Sequence, residues 1–230
     1  AILTHLTSSD YKDIPVIGFG GSYGGMIATY FRLKYPYLVD GVIAASAPIW
    51  TYYGEGYDWN SFAKIVTNDA EMASRSCVVK ARKAWKIMFH MGISSKGRSE
   101  LEKAVKLCSP LETYQDVERL VDWMSEAWDY MAMGNFPYQS SYLVDGLGRL
   151  PAYPVRKSCS FLTQTDGIEL VKSMAKAIGV YYNASDEVEC YQYNTDSSSE
   201  TEDFWNYQYC TEHFMPMERD GIHDMFYPKP

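Results

Sequence analysis

Residues 15–29 read PVIGFGGSYGGMIAT and give Ser22 two glycines directly before it and two more shortly after it. The apolar run 15–19 predicts a strand, and residues 24–35 place apolar side chains at near-helical spacing. A second run at 38–47 is rich in β-branched and small residues and suits a strand that is covered on both faces. Strand, helix and strand in this order predict a βαβ unit with a parallel sheet.

Residues 20–24 (GGSYG) match G-x-S-x-G, the nucleophile elbow, and lie where that motif belongs, after a strand and before a helix. A serine at so sharp a turn is held in strained dihedrals, so we expect Gly20 and Gly24 to pass too close to its backbone for a Cβ atom. The Tyr23 backbone N–H would lie at the helix N-terminus and donate to an oxyanion. The motif therefore predicts that Ser22 is a nucleophile.

Composition and the absence of certain motifs argue against several classes of function. The chain has 230 residues, 47% of them hydrophobic, enough for one large domain or a domain with an insertion. A net charge of -8 argues against nucleic acid as a partner. Glycine-rich turns also bind phosphates, but G-x-G-x-x-G is absent and residues 18–25 lack the lysine of a P-loop. No apolar run approaches the roughly 20 residues of a membrane span, and residues 1–10 do not resemble a signal peptide.

Helical periodicity dominates after Pro48. Thr113 and Asp116 form a capping box that predicts a helix ending at Gly134, and its apolar face is Val117, Leu120, Val121, Met124, Trp128 and Met131. Asp166 with Glu169 predicts the cap of a second helix that closes at Gly179, with an apolar face of Leu170, Val171, Met174 and Ile178.

Three further stretches carry weaker patterns. Helices are expected near residues 69–91 and 98–107. The polar, acidic run 194–203 has no apolar anchor and predicts an exposed loop.

Several segments resemble one family of serine peptidases. GGSYGGM is followed by a helix with RLKYP and a strand with AASAPIW, and further matching segments occur in the expected order at 107–111, 131–138, 150–159, 180–185 and 207–216. Over nearly its whole length the chain resembles the prolyl-carboxypeptidase and dipeptidyl-peptidase II family. The resemblance implies an α/β-hydrolase core that is interrupted by a mostly helical cap. The implied division is a core fragment at 1–50, a cap insertion at 51–181 and a return towards the core at 182–230.

The same resemblance implies peptide cleavage beside proline. It assigns the nucleophile to Ser22, one oxyanion donor to the Tyr23 N–H, and the pocket for the proline ring to Met26 and Met215. A flexible thioether suits such a ring, although ordinary core packing also explains a methionine. No cofactor is implied, the expected partner is a proline-containing peptide, and a homodimer of the full-length protein is left open.

The five cysteines have no C-x-x-C pair, so disulfides are favoured over zinc. Spacing alone cannot choose the pairing, but the resemblance implies Cys77 with Cys159 and Cys108 with Cys190, and leaves Cys210 for a cysteine beyond residue 230. Asn183 begins a glycosylation sequon. Cysteine usage and sequon favour an oxidising compartment, and the resemblance implies a lysosomal or secreted protein.

A general base and its orienting carboxylate should follow the serine in the chain, in the order Ser, Asp, His. His5 lies upstream, His90 is expected to be a packed helix histidine, and His213 and His223 match no closing family segment or zinc pattern. The sequence is therefore interpreted as a fragment that lacks the Asp and His of the triad and is inactive alone, with no metal site.

Two branches of the family remain open. A Pro-X carboxypeptidase is favoured because the segment between Cys190 and Cys210 is short and has no extra cysteine pair. A dipeptidyl peptidase would need a carboxylate for the free amine of its substrate, and the acidic residues that could supply it are Asp196, Glu200, Glu202 and Asp203. Outside these branches, the residues also allow a non-catalytic hydrolase-fold binding protein, and an esterase or lipase would share the G-x-S-x-G motif.

Overall fold

The computed structural model describes residues 14–51, 54, 56–144, 148–193, 200–213, 215 and 217–228. The chain forms two compact units, a βαβ unit of residues 1–57 and 209–216 and a helical unit of residues 58–208 and 217–230. The resemblance implied a first boundary at residues 50/51 and a return towards the hydrolase core after residue 181. By contacts, most of that last part belongs to the helical unit, and the status of this unit as an inserted cap stays a prediction.

The βαβ unit contains strand β1 (Ile17–Gly21), helix α1 (Tyr23–Lys34) and strand β2 (Gly41–Ala45). The two strands pair in parallel, in the register that sets Phe19 opposite Ile43. This confirms the predicted strand, helix and strand with a parallel sheet. Helix α1 ends directly before Tyr35, and Pro36 follows, which cannot donate the next helical hydrogen bond.

One face of this small sheet carries exposed apolar side chains. Ile17, Phe19 and Ile43 share that face because of the register, and Phe19 is 75% exposed. Helix α1 packs against both strands. Among the described residues, only one face of the second strand meets a packed helix, so the expectation that both faces are covered stays a prediction for the longer polypeptide.

The helical unit holds most of the buried apolar side chains. Its helices are α2 (Ser61–Ala73), α3 (Arg75–Gly92), α4 (Ser95–Val105), α5 (Tyr114–Met133), α6 (Pro154–Phe161) and α7 (Gly167–Tyr182), and α8 (Glu200–Thr211) follows in the chain. The helix expected near 69–91 is in fact two helices, because Ser74 between them has an extended backbone. The helix expected near 98–107 corresponds to α4.

Helix α5 forms as predicted. Thr113 is its N-cap, with its hydroxyl accepting from the Asp116 N–H at 3.2 Å while the Asp116 carboxylate accepts from the Thr113 N–H at 2.6 Å. All six apolar residues of the predicted face are buried. Four of them are among the largest fully buried side chains of the described residues: Leu120, Met124, Trp128 and Met131. The periodic face therefore supplies the centre of the helical core.

Helix α7 confirms the predicted apolar face but not the predicted ends. Asp166 caps it by accepting from the Gly167 N–H at 2.8 Å, whereas Glu169 pairs with Lys172 instead of completing a capping box. The helix also continues past Gly179 to Tyr182. A Cβ on Gly179 would lie 2.9 Å from the Tyr191 hydroxyl, so this glycine serves a close side-chain approach and not a helix stop.

The predicted exposed loop at 194–203 is only partly described. Residues 200–203 belong to helix α8, which contradicts the loop at these positions, and residues 194–199 lie outside the described residues. An acidic helix without an apolar periodic face gives no signal in the sequence. Helix α6 was also not predicted, because eight residues hold too few apolar repeats to define a period.

Side chains of α3, and of Asn60 directly before α2, hold the segment 217–228 in place within the helical unit. The Trp85 indole donates to the Met225 carbonyl at 3.0 Å, and Arg82 donates to the Asp224 carbonyl at 2.7 Å. The fully buried Asp224 carboxylate accepts from the Asn60 amide at 2.6 Å. These contacts satisfy buried polar groups, so they fix the course of a segment that has no regular secondary structure.

An ion pair links the same segment to α5. The Arg219 guanidinium lies 2.5 Å from the Asp129 carboxylate, and both side chains are largely buried. Burial raises the pKa of Asp129 to about 6, even though Arg219 lowers it, and nearby Glu126 raises it further. The cost of removing this carboxylate from water therefore exceeds the attraction of its partner.

Candidate active site

Ser22 occupies a strained turn between β1 and α1. Its φ of 53° and ψ of -124° lie in a region that non-glycine residues rarely adopt. Its N–H donates to the Ala45 carbonyl of β2 at 3.0 Å, and its carbonyl accepts from the N–H groups of Gly25 and Met26. The turn is thus held from both sides, and the exposed Ser22 side chain lies at the junction of sheet and helix.

The glycines around Ser22 differ in what they do. A Cβ on Gly20 would lie 2.1 Å from the Gly24 carbonyl oxygen, so the chain can cross itself here only without a side chain. Gly24, in contrast, has open space at the position of a Cβ. The expectation of a steric requirement at Gly24 is wrong. The second tight position is Gly25, where a Cβ would lie 3.0 Å from that of Ala47.

Tyr23 is the first residue of α1, where the helix dipole favours negative charge. Its half-buried ring meets the ring of His213 edge-on, with centroids 4.3 Å apart and planes at 83°. His213 belongs to the segment 209–216 of the βαβ unit and is only 6% exposed. Sequence reasoning missed this contact, because about 190 residues separate its partners and neither residue signals it.

The two methionines of the expected proline pocket differ in burial. Met26 is fully buried on α1, whereas Met215 is half-buried. The Tyr209 hydroxyl donates to the Met215 carbonyl at 2.5 Å and so links the last turn of α8 to the segment that follows it. Burial raises the pKa of the Tyr209 hydroxyl, so this donor keeps its proton at neutral pH. The role of both methionines stays a prediction.

The histidines are distributed over the chain. His90 is exposed on α3, so the expectation of a packed helix histidine is wrong. His223 is also exposed, and its ring nitrogen Nδ1 lies 2.6 Å from the Asp220 carboxylate. His5 lies outside the described residues. Ser22 has no histidine or carboxylate as a hydrogen-bond partner within the described part of the chain.

A metal centre finds no support in the described ranges, where no group of three or more His, Cys, Asp or Glu side chains could hold an ion. His213 and His223 therefore have to be considered as single residues. His213 lies in the βαβ unit and His223 in the helical unit. Their neighbours also differ, since His213 packs against an aromatic ring and His223 pairs with a carboxylate.

Two disulfides lie within the helical unit and join the pairs that the resemblance implied. Cys77 bonds to Cys159, and Cys108 bonds to Cys190, each across a sequence separation of 82 residues. Cys210 is exposed on α8 and has no disulfide partner among the described residues, so its pairing with a cysteine beyond residue 230 stays a prediction. No helix in the described ranges is both long and apolar enough to cross a membrane.

Asn183 follows α7 as its C-cap and is half-buried. Its side-chain oxygen accepts from the Val188 N–H at 2.8 Å. A glycan attaches at the amide nitrogen, so this hydrogen bond and the modification use different atoms. Glycosylation at Asn183 stays a prediction.

Residues 3–228 of the chain match the family model described as Serine carboxypeptidase S28. The chain belongs to this family. Members of the S28 family have an α/β-hydrolase-like fold, and the helix-rich chain with a small parallel sheet is consistent with part of it. The family consists of serine-type hydrolases, which agrees with the class that the G-x-S-x-G motif predicted.

Named relatives of the S28 family are similar over almost the whole chain. The Lysosomal Pro-X carboxypeptidase of Homo sapiens is 39% identical over 232 residues, covering 99% of this chain and 46% of the relative. That of Pongo abelii is 40% identical with the same coverage. Prolyl carboxy peptidase like protein 5 of Caenorhabditis elegans is 33% identical over 93% of this chain and 43% of the relative. The chain thus spans less than half the length of these relatives.

Proposed function

We propose that this chain is the part of a longer serine exopeptidase that supplies the nucleophile, and that the enzyme cleaves peptides next to proline as a Pro-X carboxypeptidase. The observation that carries the proposal is the strained backbone of Ser22 at an exposed sheet-to-helix turn. Strain of this kind persists only where the surroundings enforce it, and it concentrates at functional sites. The names of the similar S28 proteins support the same substrate class.

The reaction would proceed through an acyl-enzyme. Ser22 Oγ attacks the carbonyl carbon before the scissile bond while a general base takes its proton, and the carbonyl oxygen becomes an oxyanion. The Tyr23 N–H donates to that oxyanion at the N-terminus of α1. Collapse breaks the C–N bond, the leaving amine takes up the proton, and water then hydrolyses the ester to regenerate Ser22.

The remaining groups of the triad belong, in this proposal, to other parts of the longer polypeptide. A histidine base and an aspartate follow the serine in α/β-hydrolases. The helical unit would then be a cap inserted into the hydrolase core, and Met26 with Met215 would line the pocket for the proline ring. A lysosomal or secreted location fits the two disulfides and the names of the relatives.

The test uses the full-length polypeptide and peptides with proline before the last residue. We expect cleavage of peptides that are blocked at the N-terminus, and none of peptides whose C-terminal carboxylate is amidated. Ser22→Ala should lower kcat by about 10⁶-fold, because a serine nucleophile acts as a unit with its base. Ser160→Ala, at an exposed serine of the helical unit, is the matched control and should leave kcat unchanged.

Three outcomes would contradict the proposal. Cleavage that requires a free N-terminal amine would indicate the dipeptidyl-peptidase branch. Activity that survives in Ser22→Ala would remove the nucleophile assignment. A wild-type protein that binds the peptides without cleaving them would indicate a non-catalytic member of the S28 family.

A further inference from the structure

The segment 209–216 belongs to the same compact unit as the Ser22 turn, although about 190 residues separate them in the sequence. One contact between them is the edge-to-face packing of His213 on Tyr23. Tyr23 follows the serine directly, and His213 precedes Met215 by two residues. One ring pair therefore connects the residue beside the nucleophile with His213, two positions before Met215 of the expected proline pocket.

The geometry of the contact between His213 and Tyr23 is that of a rigid packing contact. His213 is almost fully buried, and the planes of the two rings cross at 83° with centroids 4.3 Å apart. Aromatic rings prefer this edge-to-face arrangement over a flat stack. A buried ring in a preferred orientation holds the backbone on either side of it more firmly than an exposed one does.

A second contact joins the residues on either side of His213 in the sequence. The Tyr209 hydroxyl donates to the Met215 carbonyl at 2.5 Å, so the chain from 209 to 215 is closed into a short loop. His213 is inside this loop and gives it an anchor on α1. This ring pair and this hydrogen bond both restrain the segment that carries Met215.

We propose that His213 is a positioning residue for proline specificity, which acts by holding the Met215 loop against Tyr23. This inference rests on the proposed function of the site. Ser22 has no hydrogen bond to a histidine within the described residues, which separates this role from that of a general base. His213 acts on the substrate pocket through Tyr23 and Met215 and does not touch the reacting atoms.

The proposal is tested in the full-length enzyme with paired peptides that carry proline or alanine before the scissile bond. His213→Ala should raise KM for the proline peptide by about two- to tenfold, the equivalent of one aromatic pair, while kcat changes little. The ratio of kcat/KM for proline over alanine should fall by the same factor. His213→Phe keeps a ring edge and should restore most of that ratio.

A second variant approaches the same contact from the other side. Tyr23→Leu removes the ring but keeps the backbone N–H, and it should lower the proline preference as His213→Ala does. Thermal unfolding of each variant identifies any that fail to fold, in which case the other variant decides. Equal losses on the proline and alanine peptides, or no difference between His213→Phe and His213→Ala, would overturn the positioning role.

The outcomes separate the two proposals. If the wild-type enzyme cleaves proline peptides and Ser22→Ala does not, the proposed function stands, and an unaltered proline preference in His213→Ala removes this inference alone. A fall in kcat of several orders of magnitude in His213→Ala would instead assign His213 to the catalytic machinery. A wild-type enzyme that does not prefer proline over alanine overturns both proposals.

Discussion

The helical unit and the βαβ unit use their apolar side chains in opposite ways. In the helical unit Trp85, Trp128 and the apolar face of α5 are fully buried, and two disulfides connect its segments. In the βαβ unit Phe19 on β1 and Leu33 on α1 are each about three-quarters exposed. Among the described residues, most of the fully buried side chains therefore lie in the helical unit, whereas the candidate nucleophile lies in the βαβ unit.

The largest expected change in the free energy of unfolding comes from removing a disulfide of the helical unit. Replacing both Cys77 and Cys159 by alanine should lower the free energy of unfolding of the helical unit by about 4 kcal/mol, because the bond closes a loop of some 80 residues in the unfolded chain. Far-UV circular dichroism during urea unfolding measures the change. Cys210→Ala, at a cysteine of α8 that belongs to neither of these two bonds, is the control. Equal unfolding midpoints for the two variants would show that this bond does not stabilise the unit.

A matched pair of leucines sharpens the comparison further. Leu120→Ala on α5 should lower the free energy of unfolding by about 3 kcal/mol, because the side chain is fully buried and its loss leaves a cavity. Leu33→Ala on α1 should change it by less than about 0.5 kcal/mol, since that leucine is 74% exposed. Both changes remove the same atoms from a helix. A large effect of Leu33→Ala in urea unfolding would mean that this surface is covered in solution.

The last prediction concerns how the free energy of unfolding changes with pH through Asp129. In the unfolded chain Asp129 titrates near its usual pKa of about 4. Burial raises its pKa in the folded chain to about 6, so the folded state binds this proton first. The free energy of unfolding should therefore rise as pH falls from about 6 towards 4, by up to about 1.4 kcal/mol per pH unit, and this contribution is lost above about pH 6.

Asp129→Asn is the control for this pH dependence, because the amide keeps the shape and cannot titrate. The difference in unfolding free energy between wild type and Asp129→Asn should slope between about pH 4 and 6 and be flat below that range. A difference that does not change with pH would mean that Asp129 has the same pKa in the folded and unfolded chains. The opposite slope would mean that attraction to Arg219 exceeds the cost of burial.

Long periodic elements were predictable from the sequence, and short or aperiodic ones were not. Helix α5 could be predicted because six apolar residues repeat at three and four positions behind a capping box. The predicted end of α7 was wrong because the helix continues through Gly179, which lies close to the distant Tyr191 hydroxyl, and a sequence pattern cannot report a contact of that kind. Helix α6 is too short to establish a period, and Ser74 breaks a predicted helix without a proline or glycine.

In the candidate site, too, features set by neighbouring residues were predictable and features set by distant residues were not. The G-x-S-x-G motif predicted the turn at Ser22, because the crossing of strand and helix is a local event within about five residues. It did not predict that Gly25 and not Gly24 is the second tight position, since the opposing atom belongs to Ala47 on the segment after β2. Nor could it predict the packing of His213 on Tyr23, which depends on how distant segments meet.

The two disulfides have a topological consequence, because their loops overlap between Cys108 and Cys159. A protease that cuts the backbone once within this overlap produces two polypeptides that remain joined by both bonds. The nicked protein would migrate as one band until a reductant is added and then separate into two. A single cut in this part of the helical unit would therefore leave both pieces covalently joined.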